Sequence, residues 1–116
     1  MCKLFIQADA ELWSSSTRSL RIDGMVTSIR LENYFWTILD NISTRDGMNI
    51  PQMITRLYHE SIDADHDLGN FTSFLRVCCM RYLALQLSGE IPINESVAIS
   101  SLDVEDILVR EKRDYH

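Results

Sequence analysis

Met25-Val26-Thr27-Ser28-Ile29-Arg30-Leu31 decides how the rest of this chain is read. Val26, Ser28 and Arg30 fall on one side of the segment, and Met25, Thr27, Ile29 and Leu31 on the other. That period of two, with β-branched members, predicts a strand. The period then changes. Glu32 to Arg45 sets Phe35, Ile38, Leu39 and Ile42 at helical spacing, and Gly47 lies just past the end. Asn49 is a fitting N-cap for a second helix with Pro51 in its first turn. Its apolar stripe is Met53, Ile54, Leu57 and Tyr58, running to about Ser61. Asn70 opens a third helix, Phe71 to Leu87, with Phe74, Leu75, Cys78, Tyr82 and Leu85 on one side and Gly89 as its stop.

Outside this centre the patterning is weaker. Lys3 to Gln7 alternates and predicts a short strand. Ala8 to Thr17, with three successive serines from Ser14, reads as a linker. Leu20 and Ile22 alternate with Ser19 and Arg21 ahead of Asp23-Gly24, a turn signal. Asp63 to Gly69 is polar and acidic, as a loop would be. Glu90 to Ser100 is irregular, and Ser101 is placed to cap a helix from Leu102 to Lys112. The expected organisation is an arm over 1–17, a central domain over 18–89 and an acidic tail over 90–116.

The 116 residues suffice for one domain, and 46% hydrophobic against 24% charged residues favours folding over disorder. No apolar run reaches the roughly 20 residues of a membrane span, and the first residues do not read as a secretory signal. Cys2, Cys78 and Cys79 lack a disulfide or zinc spacing, so a reducing cytoplasm is the expected home. Net charge is −6, yet it is uneven. Seven acids crowd Glu90 to His116, whereas Arg18 to Arg30 holds three arginines and Asp23 alone. A polyanion site belongs in that less acidic stretch.

One strand and two helices, about 45 residues, bury too little surface alone, and a single strand has two open edges. A symmetric dimer repairs both, with the strand paired antiparallel to its own copy over four helices. Thr27, Ile29, Leu31, Phe35, Trp36, Leu39, Ile54 and Leu57 then form the shared core. Val26, Ser28 and Arg30 face outward. A two-stranded ribbon fits the major groove of B-DNA, where Arg30 suits guanine, Ser28 donates or accepts, and Val26 meets a thymine methyl. Backbone donors around Asn49, Ile50 and Gln52 at the second helix start suit a phosphate, one donor being lost at Pro51.

The run Arg18-Ser19-Leu20-Arg21-Ile22-Asp23-Gly24-Met25-Val26-Thr27-Ser28-Ile29-Arg30-Leu31-Glu32-Asn33-Tyr34-Phe35-Trp36 resembles a bacterial branch of the ribbon-helix-helix family. Its pattern is G-x-x-T-S-x-x-L-E-x-x-F-W. Gly47 to Ile54 is similar to the family's inter-helix turn, and Asn70 to Arg76 to the start of the branch's extra third helix. The resemblance spans about 18–87. It implies a mainly α fold with a short N-terminal strand, an intertwined homodimer with a two-stranded antiparallel ribbon, and additional C-terminal helices. It also implies a transcriptional regulator that reads double-stranded DNA, as a dimer or, joined through Leu75, Cys78, Tyr82 and Leu83, a tetramer.

Several features admit two readings. Arg18 and Arg21 either touch phosphates or are solvent-facing strand residues. Asp23-Gly24 either ends a lone strand or folds Leu20 to Thr27 into a local hairpin, and a sheet widened that way fits a groove less well. His59 and Asp63 share a helical face without the H-E-x-x-H pattern, as a solvated helix end does. Cys78 and Cys79 point apart, one to the core and one to its boundary. Trp13 either pins the arm to the body or meets another protein. No nucleophile–base pair, Gly-rich phosphate loop, metal set or cofactor motif is recognisable, so a non-enzyme is expected. Val26, the net charge and the acidic tail motivate a second hypothesis. It is a protein-interaction adaptor of the same dimer fold that does not bind DNA, its tail docking a partner or folding back over the ribbon.

Overall fold

The computed structural model describes residues 1–65 and 68–115. A two-stranded antiparallel ribbon lies on a layer of helices. Its strands are β1, Ser15–Ile22, and β2, Met25–Glu32, paired from Ser15↔Glu32 to Ile22↔Met25. Only Asp23 and Gly24 join them, with φ of +53° and +80°. Two successive left-handed residues make the hairpin turn that Asp-Gly favours, because its twist matches that of the strands. β2 therefore pairs with β1 of the same chain, where the sequence reading expected a second copy of itself. Closing a two-residue loop costs far less entropy than recruiting a distant strand. The hairpin is also longer than the Leu20–Thr27 turn region considered from sequence, because the serine-rich stretch from Ser15 is strand, not linker.

The described residues form five α-helices besides the ribbon: α1 Cys2–Ile6, α2 Asn33–Arg45, α3 Ile50–Asp63, α4 Phe71–Leu87 and α5 Val104–Tyr115. α1 replaces the strand expected over Lys3–Gln7, and a 3-10 turn follows at Ala10–Leu12. α2, α3 and α4 agree with their predicted spans. A full capping box starts α3: Asn49 Oδ1 accepts from the Gln52 N–H, and Gln52 Oε1 accepts from the Asn49 N–H. The expected loop over Asp63–Gly69 falls partly outside the described residues at 66 and 67. α5 begins after Asp103, whose side chain takes the Asp106 N–H, and Ser101 belongs to a preceding 3-10 turn.

The core lies between ribbon and helices. Leu20, Ile22, Ile29 and Leu31 descend from the ribbon onto Trp36 and Leu39 of α2, Ile50, Met53 and Ile54 of α3, and Leu75, Cys79 and Tyr82 of α4. Leu31, Leu39, Ile54, Leu75 and Cys79 are wholly enclosed. Most residues expected to need a partner subunit are thus covered within one chain, because α4 supplies the missing layer. Phe35 and Leu57 are partly buried, but Thr27 is exposed, since near the tip the helices cover Leu20 and Ile22 of β1 and leave Met25 to Ser28 of β2 open. Burial pushes the Cys79 thiol up to about 12.

Arg45, buried at the end of α2, fastens the irregular segment after α4. Its guanidinium donates to the carbonyls of Asn94 and Val97 and to the Tyr82 hydroxyl at 2.9–3.1 Å. A buried charge is tolerated only with this many partners. α5 is held to α4 by Arg81–Glu111 and to the α4 exit by Arg110–Glu90, and Ile107 turns inward.

Candidate nucleic-acid interface

Residues directly opposite in an antiparallel pair share a face, and alternate residues along a strand share it too. Thr17↔Arg30, Ser19↔Ser28 and Arg21↔Val26 therefore form one outward surface. All six side chains are exposed. Ser16, Arg18, Leu20 and Ile22 of β1 lie on the inner face with Met25, Thr27, Ile29 and Leu31. Three of the outward residues, Val26, Ser28 and Arg30, are those singled out from sequence. The β1 trio Thr17, Ser19 and Arg21 joins them. Of that trio only Arg21 had been considered, because a serine-rich run carries no apolar alternation to mark it as strand.

Charge on and around this face is arranged unequally. Arg21 and Arg30 make no ion pair among the described residues, whereas the acids at the two ends of the ribbon are both engaged. At the tip, Asp23 Oδ1 lies 2.7 Å from His59 Nε2 of α3. At the base, Glu32 accepts from Arg76 of α4 at 3.0 Å, and this bond holds the Glu32 carboxyl below its ordinary value. The ribbon thus presents two free guanidiniums within a chain of net charge −6.

Arg18 does something else. Its guanidinium carbon sits 4.5 Å from the Trp36 ring centre, on the face turned toward the helices. Trp36 donates its indole N–H to the Ser16 carbonyl at 3.0 Å, so the pair seals the ribbon to α2. The start of α3 also differs from expectation. Asn49 and Gln52 spend their backbone donors on each other's side chains, and Ile50 is buried. The positive charge near that helix comes from side chains. Arg21 faces Gln52, Thr55, Arg56 and His59 across a shallow depression of about 580 Å³, which the acid Glu60 also borders. Arg56 and His59 were missed as a site, although Gln52, Thr55, Arg56 and His59 follow the i, i+3, i+4, i+7 spacing of one helix face.

No described helix is long and apolar enough to cross a membrane. α5 lies against α4, so the acidic tail does not fold over the ribbon as one version of the adaptor hypothesis required.

Residues 15–83 match a family model described as a ribbon-helix-helix domain. The chain is also similar to the solved structure of an uncharacterized protein from Bordetella pertussis Tohama I. The two are 49% identical, with a TM-score of 0.89 over 93% of this chain and 86% of that one. No curated protein matches the chain.

Proposed function

Because this chain belongs to the ribbon-helix-helix family, a typically non-enzymatic family of dimeric DNA-binding regulators, we propose that it is a sequence-specific transcriptional regulator acting in the cytoplasm of a bacterium. Its reading surface is the outward face of the ribbon. Arg30 pairs with a guanine edge, Ser28 contacts a neighbouring base, and Val26 packs on a thymine methyl. Thr17, Ser19 and Arg21 extend that surface on β1. Phosphates on either side are held by Arg21 and by Arg56 of α3 more than by the α3 backbone amides.

The observation that carries this reading is the charge arrangement: both acids flanking the ribbon have polar partners on the helical layer, Asp23 with His59 and Glu32 with Arg76, while neither outward arginine has an ion-pair partner among the described residues. Each chain's own hairpin is a two-stranded element of a width the major groove admits. A homodimer then offers two such elements to two half-sites, with 18–89 as the DNA-binding domain, 1–17 as an arm and 90–116 as a tail. The placement of α5 on α4 leaves the reading face uncovered, which favours DNA over the adaptor alternative.

Selection of bound duplexes from a random pool, followed by fluorescence anisotropy on the selected site, tests the proposal. Arg30→Ala is expected to weaken binding by roughly 1–3 kcal/mol and to relax preference at one base pair. Equal affinity of wild type and variant removes Arg30 from the reading face.

A further inference from the structure

α4 is apolar on two sides. Leu75, Cys79 and Tyr82 enter the core, while Val77, Met80, Leu83 and Leu87 form a second stripe that stays 38–91% exposed. A helix with two apolar sides is ordinarily covered on both. Beside this stripe α1 has five residues, buries none of them, and leaves Leu4, Phe5 and Ile6 at least 65% exposed. So short a helix is not stable by itself. Between α1 and α4 runs a groove of about 520 Å³, bordered by Leu4, Phe5, Trp13, Tyr34, Met80 and Leu83.

We propose that this α1–α4 face is a self-association surface, in which the α1 arm of a second copy enters the groove and the two α4 stripes pack across a two-fold axis. Three observations select a second copy as the occupant. The chain carries the groove and an exposed apolar arm side by side, so one surface is complementary to itself, as a two-fold contact requires. Among the described residues the only acid bordering the groove is Glu32, already held by Arg76, so two copies of this face meet without bringing unpaired carboxylates together, although each chain carries a net charge of −6. A polyanion or a basic partner has nothing to bind there. Finally, α1, α4, Trp13 and Tyr34 together expose nine large apolar side chains. Three of them are aromatic, each covering roughly 150–250 Å² when fully buried, and with the exposed parts of the six smaller aliphatic side chains the face offers on the order of 800 Å² per copy, the size of a standard interface.

This surface differs from the third-helix contact expected from sequence. Leu75 and Tyr82 are spent inside the chain, Cys78 borders a different cleft, and Leu83 alone is shared. The proposal rests on the dimeric reading above and not on DNA recognition, so it is tested without DNA. Sedimentation equilibrium of the full chain is compared with two double variants, Val77→Lys/Met80→Lys and Leu4→Lys/Phe5→Lys, with circular dichroism as a check of folding. The wild type is expected to self-associate, and each variant to weaken that association roughly 30-fold or more. A wild type that associates while both folded variants match it overturns this surface and leaves dimerisation standing. A monomeric wild type overturns both. If one variant misfolds, the other decides, because its changes lie on a separate helix.

Discussion

Arg18 and Arg21 stand three residues apart on β1, yet they serve opposite faces. Arg18 lies over the face of the Trp36 ring at 4.5 Å, where a solvent-exposed cation contributes about 0.5–1 kcal/mol. Arg21 projects outward beside Val26 and toward Arg56 and His59. Replacing each in turn by alanine separates the roles. Arg18→Ala should lower unfolding stability by that amount in a urea titration and leave DNA affinity within about twofold. Arg21→Ala should leave stability within about 0.5 kcal/mol. It should also weaken DNA binding and reduce the slope of log affinity against log salt by about one, as loss of a phosphate contact does. Neither assignment followed from composition. Both arginines read as outward or flexible until β1 had a register, because parity along a strand has no meaning before the strand is recognised.

Among the elements, the helices were legible and the first strand was not. α2, α3 and α4 each bury an apolar stripe of period 3.6, and Asn49, Pro51 and Gly89 mark their ends. β1 buries only Leu20 and Ile22, so four of its first five residues, Ser15, Ser16, Thr17 and Ser19, carried a linker's composition. The Asp23-Gly24 signal was visible, but its consequence depended on whether the residues before it could pair over eight positions. α1 was misread because five residues fit either period. The junction of β2 with α2 also makes a measurable claim. Arg76 holds the Glu32 carboxyl below its ordinary value, so the pair stabilises the fold above the carboxylate range and ceases to as pH falls through it. Both groups are partly exposed, which keeps the contribution under about 1 kcal/mol. Arg76→Met should therefore cost up to about 1 kcal/mol in urea unfolding at pH 7 and close to nothing at about pH 3. An equal loss at both values would assign the effect to packing of the Arg76 stem.

At the scale of the molecule, three surfaces are kept apart. The ribbon's outer face is polar with two free arginines, the α1–α4 face is apolar and nearly uncharged, and α5 gathers acids on the side where Arg81 anchors it. This segregation reconciles a net charge of −6 with a polyanion-binding surface, since local charge and not the sum steers a close approach. The central claim is that DNA meets the outward ribbon face. Backbone amide chemical shifts, followed during titration with a selected duplex, test it most directly. The largest changes should fall on Thr17 to Arg21 and Val26 to Arg30, with smaller ones around Arg56 and none on α5 or in the α1–α4 groove. Shifts confined to α5 or to that groove, with the ribbon unmoved, would contradict the account.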